Sequence, residues 1–219
     1  KESGRRFMVG CNHRFHPSIR KAKEMVENGA IGRILFIRGR YGFGGREGYA
    51  KEWRLDPKIS GGGELIDQGV HLIDLARWFL GDIKEVRGFV SDNFWKKGAE
   101  DNAFVLLRDK ENRIASLHAS WTQWKPIFSF ELYGSDGYIT IEGLGKRYGG
   151  AERVIWAKRS EQFGAGEEKI IECDTDANKS LILELEEFVS AIKENREPQP
   201  SGYDALEALK IVEKVYNHK

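Results

Sequence analysis

The 219-residue chain carries 35 Lys and Arg against 34 Asp and Glu, a formal net charge of +1, and the two signs are interspersed rather than blocked. That balance leaves no electrostatic footprint for nucleic acid, and no stretch reads as a membrane span or a signal peptide. Two cysteines, Cys11 and Cys173, make no disulfide framework, so the composition describes a cytoplasmic domain able to remove roughly 70% of its unfolded surface from water.

In chain order, residues 1–4 read as the end of a helix stopped by Gly4, and residues 7–10 as a strand. Asn12, His13, Arg14 and His16 cluster just after it, where strands of nucleotide-binding folds meet ligands; a surface helix entry explains the same cluster. Charges interleave with Ile19, Ala22, Met25 and Val26, which predicts a helix over residues 18–28 with Pro17 in its first turn and Gly29 at its end. β-Branched and aromatic residues predict a strand over 33–43. The glycine-punctuated loop over 42–60 is long for a connection, and such loops tend to carry function. A helix from about Glu64 to Gly81 follows, then strands over 85–91, 102–108, 113–121, 128–133, 138–142, 154–158 and 169–173. Turns at residues 109–112 and 134–137 join neighbours as hairpins, the second with glycines free to take positive φ. Helices over 178–195 and 203–216 close the chain, split by Pro198-Gln199-Pro200. The expected class is α+β, a large, mainly antiparallel sheet with helices on one face.

The segment Gly61-Gly62-Gly63-Glu64-Leu65-Ile66-Asp67-Gln68-Gly69-Val70-His71-Leu72-Ile73-Asp74 holds the densest chemistry. On an α-helix Asp67 and His71 stand at i and i+4, His71 and Asp74 at i and i+3, so all three share one face. A carboxylate beside an imidazole raises the His pKa towards working pH, and such a pair exchanges a proton with a hydroxyl. Gly69 lies in a helix interior, where it costs roughly 1 kcal/mol relative to Ala; a ligand or another backbone must need the space. Two other readings stand beside this one: a half-buried structural His at a helix start, and a metal site of Asp67, His71 and Asp74, for which no further Cys or His falls at ligand spacing.

That pattern, three glycines, then Asp, Gly, His and Asp at fixed steps, resembles the signature helix of the Gfo/Idh/MocA oxidoreductases. The likeness extends from the Gly10–Pro17 segment through Glu27-Asn28-Gly29-Ala30-Ile31-Gly32-Arg33-Ile34 and Trp53-Arg54 to the helix after Ser201-Gly202. It implies a glyceraldehyde-3-phosphate-dehydrogenase-like C-terminal domain, with Asp67 and His71 as the catalytic pair and no metal. Hydride would pass between NAD or NADP and a CH–OH carbon of a sugar, nucleotide sugar or inositol. Arg14, Trp53, Arg54, Gly62, Gly63 and Asp74 would line the substrate and cofactor cleft. Arg54 could grip a carboxylate or phosphate, and Trp53 offers a stacking face.

Family members hold the dinucleotide mainly in a Rossmann domain whose glycine-rich loop and lysine-bearing segment are not found here. Residues 1–16 are therefore expected to be the remnant of its last strand and linker, and 17–219 the substrate-binding and oligomerisation domain, inactive alone. The resemblance also implies a homo-oligomer through the open sheet face. His118 reads as structural, opposite in facing to Leu117 and Ala119, and the aromatics Trp121, Trp124, Phe128, Phe130, Tyr133 and Tyr138 as sheet packing or interface. A reading from another class is a non-enzymatic carbohydrate-binding or assembly module without a cofactor site of its own.

Overall fold

A computed structural model describes residues 4–162, 166–173, 176 and 178–217. Eight strands form one sheet: β1 (Ile34–Gly42), β2 (Ile83–Ser91), β3 (Asn102–Asp109), β4 (Ile114–Ser120), β5 (Ile127–Gly134), β6 (Gly137–Leu144), β7 (Tyr148–Lys158) and β8 (Lys169–Glu172), in the order β2-β3-β4-β1-β5-β6-β7-β8. Every neighbouring pair is antiparallel except β1 with β4, which run parallel from Phe36 opposite Ile114 to Gly42 opposite Ser120. The antiparallel class is therefore observed, with one parallel seam that consecutive hairpins do not foretell.

The helices are α1 (Pro17–Glu27), the single turn α2 (Pro57–Ser60), α3 (Val70–Leu80), α4 (Lys179–Lys193) and α5 (Gly202–Asn217). Alternation along the strands sends Ile37, Val105, Leu107, Ala115, Leu117, Phe130, Leu132, Ile139 and Ile141 to the helix-covered face, all buried. α3 is buried nearly all round, because the sheet lies on one side of it and α5 on the other. α5 closes over it with Ala208, Ile211, Val212 and Val215, spaced at three and four residues. The opposite face of the sheet stays open: Phe89 is 82% exposed, Phe104 53% and Leu106 52%.

Two expectations change here. The strand over residues 7–10 is a single bridge, Met8 to Ser201, and of the proposed helix end at residues 1–4 only Gly4 is described, with φ +64°. Asn12–Phe15 is one 3-10 turn with His13, Arg14 and Phe15 buried, against α4. The glycines of the 134–137 turn answer crowding instead of positive φ, since a Cβ on Gly134 would lie 2.0 Å from the Ile31 carbonyl oxygen. The long loop over 42–60 holds two 3-10 turns, Tyr49–Lys51 and Trp53–Leu55, ahead of α2.

Candidate active site

The glycine run is built for self-contact. Gly61 ends α2 at φ +80°, a conformation other residues rarely take. A Cβ on Gly63 would sit 2.1 Å from the Glu100 carbonyl oxygen, and one on Gly62 2.2 Å from the Tyr216 hydroxyl. Gly62 and Gly63 are buried there, so the space they leave is filled by this chain and not by a cleft. Gly69 is likewise explained by packing, with Leu65 and Ala119 at 3.1 and 3.4 Å from its notional Cβ.

Between the glycines and α3 the backbone makes one π-helical turn, Leu65–Gly69. Its i→i+5 bonding widens the turn, and the expected ladder of Asp67, His71 and Asp74 comes apart. Asp67 pairs with Arg54, whose Nε lies 3.5 Å from Oδ2. His71 stacks on His13, centroids 4.0 Å apart and planes 16° from parallel. Asp74 accepts two bonds from Arg14, Nε at 2.8 Å and Nη2 at 2.6 Å. Each of the three thus has its own partner, and among the described residues they form no metal-holding group.

The raised pKa expected for His71 is also corrected: burial, then the neighbouring His16, pushes it down to about 4. His71 is therefore a neutral imidazole at neutral pH. It lines a cavity of about 310 Å³ together with His13, His16, Tyr41 and Tyr148. Burial also holds His13 well below its ordinary value, helped by His71 and then His16. His16 Nδ1 lies 2.6 Å from Glu152 Oε1, and Glu152 also accepts from Ser18 Oγ and the Gly145 N–H. The Tyr41 and Tyr148 rings meet edge to face with centroids 4.8 Å apart, and Gln68 donates to the Tyr148 hydroxyl at 3.2 Å.

A second polar group lies behind that wall. Arg54 spans Glu52 and Asp67, each at 3.5 Å, with its guanidinium 4.7 Å from the centre of the Trp53 ring. Trp53 itself is 53% exposed. Burial raises the Asp67 carboxyl and Arg54 opposes the rise. Glu64, fully buried, has no partner for either carboxyl oxygen. Burial, then Asp67, then Glu100 push it well above the ordinary range. The Trp121 indole N–H, buried without a partner at hydrogen-bond distance, pulls weakly on both carboxyls.

Arg14 and Asp74 face each other and not an open cleft. Arg14 is 6% exposed and Asp74 1%; Asp204 approaches the guanidinium at 3.2 Å and the Trp78 ring lies beneath it at 5.4 Å. Burial raises the Asp74 carboxyl against the pull of Arg14, yet with the guanidinium held above its usual value and two short N–H···O contacts the pair is ionic. His118 lies on the open sheet face, stacked 4.1 Å from Phe104 and bonded to Asn102. Sequence reading missed Glu64, Tyr41 and Tyr148, and it gave His13 and His16 as a cluster without their tie to His71. Tyr41 alternates with strand neighbours like any packing aromatic. Among the described residues no group of three or more His, Cys, Asp or Glu is arranged to hold a metal ion, and no helix is long and apolar enough to cross a membrane.

The family model of the GFO/IDH/MocA C-terminal domain matches residues 19–140, more than half of the chain, and the chain belongs to that family. A levoglucosan dehydrogenase from Pseudarthrobacter phenanthrenivorans is 25% identical, over 93% of this chain and 62% of its own. A myo-inositol 2-dehydrogenase from Thermotoga maritima is 27% identical, over 92% and 58%. The solved structure of levoglucosan dehydrogenase with NADH and levoglucosan aligns at a TM-score of 0.81 and 25% identity, covering 99% of this chain and 66% of that one. Aldose-aldose oxidoreductase from Caulobacter crescentus, complexed with glycerol, aligns at 0.80 and 23% identity, covering 99% and 62%. The chain spans about three fifths of the length of the curated relatives it matches.

Proposed function

We propose that the chain supplies the substrate-binding, acid-base and oligomerisation part of a cytoplasmic NAD(P)-dependent oxidoreductase acting on a CH–OH group of a sugar, nucleotide sugar or inositol. The observation that carries this reading is His71, a neutral imidazole at the wall of a cavity of about 310 Å³, on a helix inside the span that the family model matches; a levoglucosan dehydrogenase and a myo-inositol 2-dehydrogenase among the relatives support the substrate class. The chain fits the substrate half of such a site. Among its described residues no glycine-rich strand-to-helix loop is present to cradle a pyrophosphate, so the 219 residues alone are expected to show no turnover. The dinucleotide, when bound, supplies the hydride acceptor. His71 then takes the proton of the substrate hydroxyl at a ring nitrogen, which its neutral state permits. Asp67, part-exposed and steadied by Arg54, hydrogen-bonds a substrate hydroxyl, since it does not touch His71.

The open sheet face completes the proposal. Phe89, Phe104, Leu106 and Ile114 are all at least 40% exposed, and apolar patches beyond several hundred Å² are rare on monomers. A second copy related by two-fold symmetry would cover them.

The test is His71→Ala in the full-length enzyme, which is expected to lower turnover by roughly 10²- to 10⁴-fold with a smaller change in substrate affinity. The acid limb of kcat/KM that belongs to His71 should lie well below pH 6.5 in the wild type and vanish in the variant. A variant keeping both rate and limb would give the proton transfer to another group.

A further inference from the structure

The buried side-chain polar atoms that lack a partner are not scattered. Of seven such atoms among the described residues, five belong to one cluster: both Glu64 carboxyl oxygens, Tyr49 Oη, Gln68 Oε1 and Trp121 Nε1. The Tyr49 and Trp121 rings meet edge to face with centroids 5.7 Å apart. The Trp121 indole N–H pulls on the Glu64 carboxyl and on that of Asp67, and Gln68 lies in the Leu65–Gly69 turn that Glu64 begins. All four side chains are buried, Gln68 being the most exposed at 6%. Gln68 donates Nε2 to the Tyr148 hydroxyl, so its Oε1 is an acceptor without a donor.

An ionised Glu64 cannot complete this set. A carboxylate only accepts, so it offers nothing to Gln68 Oε1. It would also be a buried charge without a cation, since Arg54 reaches Glu52 and Asp67 instead, while the charges facing Glu64 are those of Asp67 and Glu100. Tyr41, Tyr49 and Tyr148, the other titratable groups that feel Glu64, are each raised, first by burial, and stay neutral hydroxyls. A protonated Glu64 supplies the missing donor and keeps an acceptor for the indole. A buried water bonds about three polar groups of this kind and links those that do not touch.

The cluster sits where the backbone departs from the α-helix. A π turn is rare and gives up regular bonding, and Glu64 stands at its start. We propose that Glu64 is a positioning residue: protonated, and bonded through buried water to Tyr49, Gln68 and Trp121, it holds the wide turn that sets Asp67 against Arg54 and away from His71. The Asp67 carboxylate is thereby kept for a substrate hydroxyl and the imidazole stays neutral; only that consequence rests on the oxidoreductase reading.

The full-length enzyme tests this in Glu64→Gln, which keeps a donor and an acceptor in nearly the same shape, and in Glu64→Leu, which keeps neither. The infrared difference between wild type and Glu64→Gln at neutral pH should show the C=O band of a protonated carboxylic acid; a carboxylate band in its place overturns the proposal. The His71 ring resonance, assigned with His71→Asn, should titrate at about 4 in the wild type and stay there in Glu64→Gln. In Glu64→Leu it should rise by about one pH unit or more, as Asp67 swings to its i+4 neighbour. His13 and His16, which face the same ring, are present in every variant. A His71 titration that is the same in Glu64→Leu as in the wild type overturns the proposal, and so does one that moves equally in both variants. Should Glu64→Leu not fold, Trp121→Phe, which removes the indole N–H, should move His71 the same way by less, and no movement then overturns the proposal. Turnover is read separately, as the acid limb of kcat/KM. A ring resonance that moves without the limb keeps this proposal and takes the proton transfer away from His71.

Discussion

Substituting His71 by Asn should flatten the acid side of the stability profile. An unfolded imidazole titrates near 6.5, whereas in the fold burial and His16 hold His71 at about 4. Between those values the unfolded chain binds a proton that the native site refuses, so stability falls as pH falls; above 6.5 both states are neutral and the site contributes nothing. The depression from 6.5 to about 4, at about 1.4 kcal/mol per pH unit, makes about 3 kcal/mol lost between pH 8 and pH 4. His13 on the 3-10 turn and His16, paired with Glu152 from β7, are the groups that face the ring, and both remain in the variant. Urea denaturation at several pH values would give the two curves, and the wild type should lose about 3 kcal/mol more than His71→Asn over that range. Parallel curves, or a His71 ring resonance that titrates near 6.5, would refute the reasoning.

Asp74→Ala leaves the Arg14 cation buried with only the more distant Asp204, and about 3–5 kcal/mol of stability should disappear; an unchanged denaturation midpoint would show that the pair is not ionic. Gly63→Val puts a Cβ against the Glu100 backbone, which cannot swing aside, so a loss of at least about 1–3 kcal/mol is expected. A Gly63→Val protein melting like the wild type would contradict that contact. Phe104→Asp, on the open face, should convert a dimer into a monomer in light scattering; a wild type already monomeric at about tens of micromolar would exclude the sheet face as an interface.

Strand and helix positions were legible because burial enforces periodicity. β3 alternates from Ala103 to Asp109 between buried and exposed residues, and α1 repeats its apolar residues at helical spacing under a first-turn proline. The site was legible only in part. Residue types drew attention to His71, which lines a cavity, but the i, i+4 rule that paired it with Asp67 assumes an unbroken α-helix, and the π turn at Leu65–Gly69 invalidates it locally. Nothing in the letters distinguishes a glycine that makes room for a ligand from one that makes room for Glu100. The partners of Asp67, His71 and Asp74 are Arg54, His13 and Arg14, and the farthest of these, Arg14, is brought 60 residues along the chain by tertiary packing alone.

The parallel seam fixes an order of assembly. β1, the first strand in sequence, lies between β4 and β5, so both of its hydrogen-bonding edges wait for residues beyond Ile114. A nascent chain that ends near residue 110 can close the β2–β3 hairpin but leaves β1 with two bare edges and an apolar face, a template for pairing with other chains. Closure then depends on contacts of high sequence separation, which are slow to form. Synthesis that pauses between β3 and β4 should therefore yield aggregates where a pause after Gly134 does not, placing the most vulnerable moment of the protein's life in the passage of β4 and β5, Ile114 to Gly134, through the ribosome.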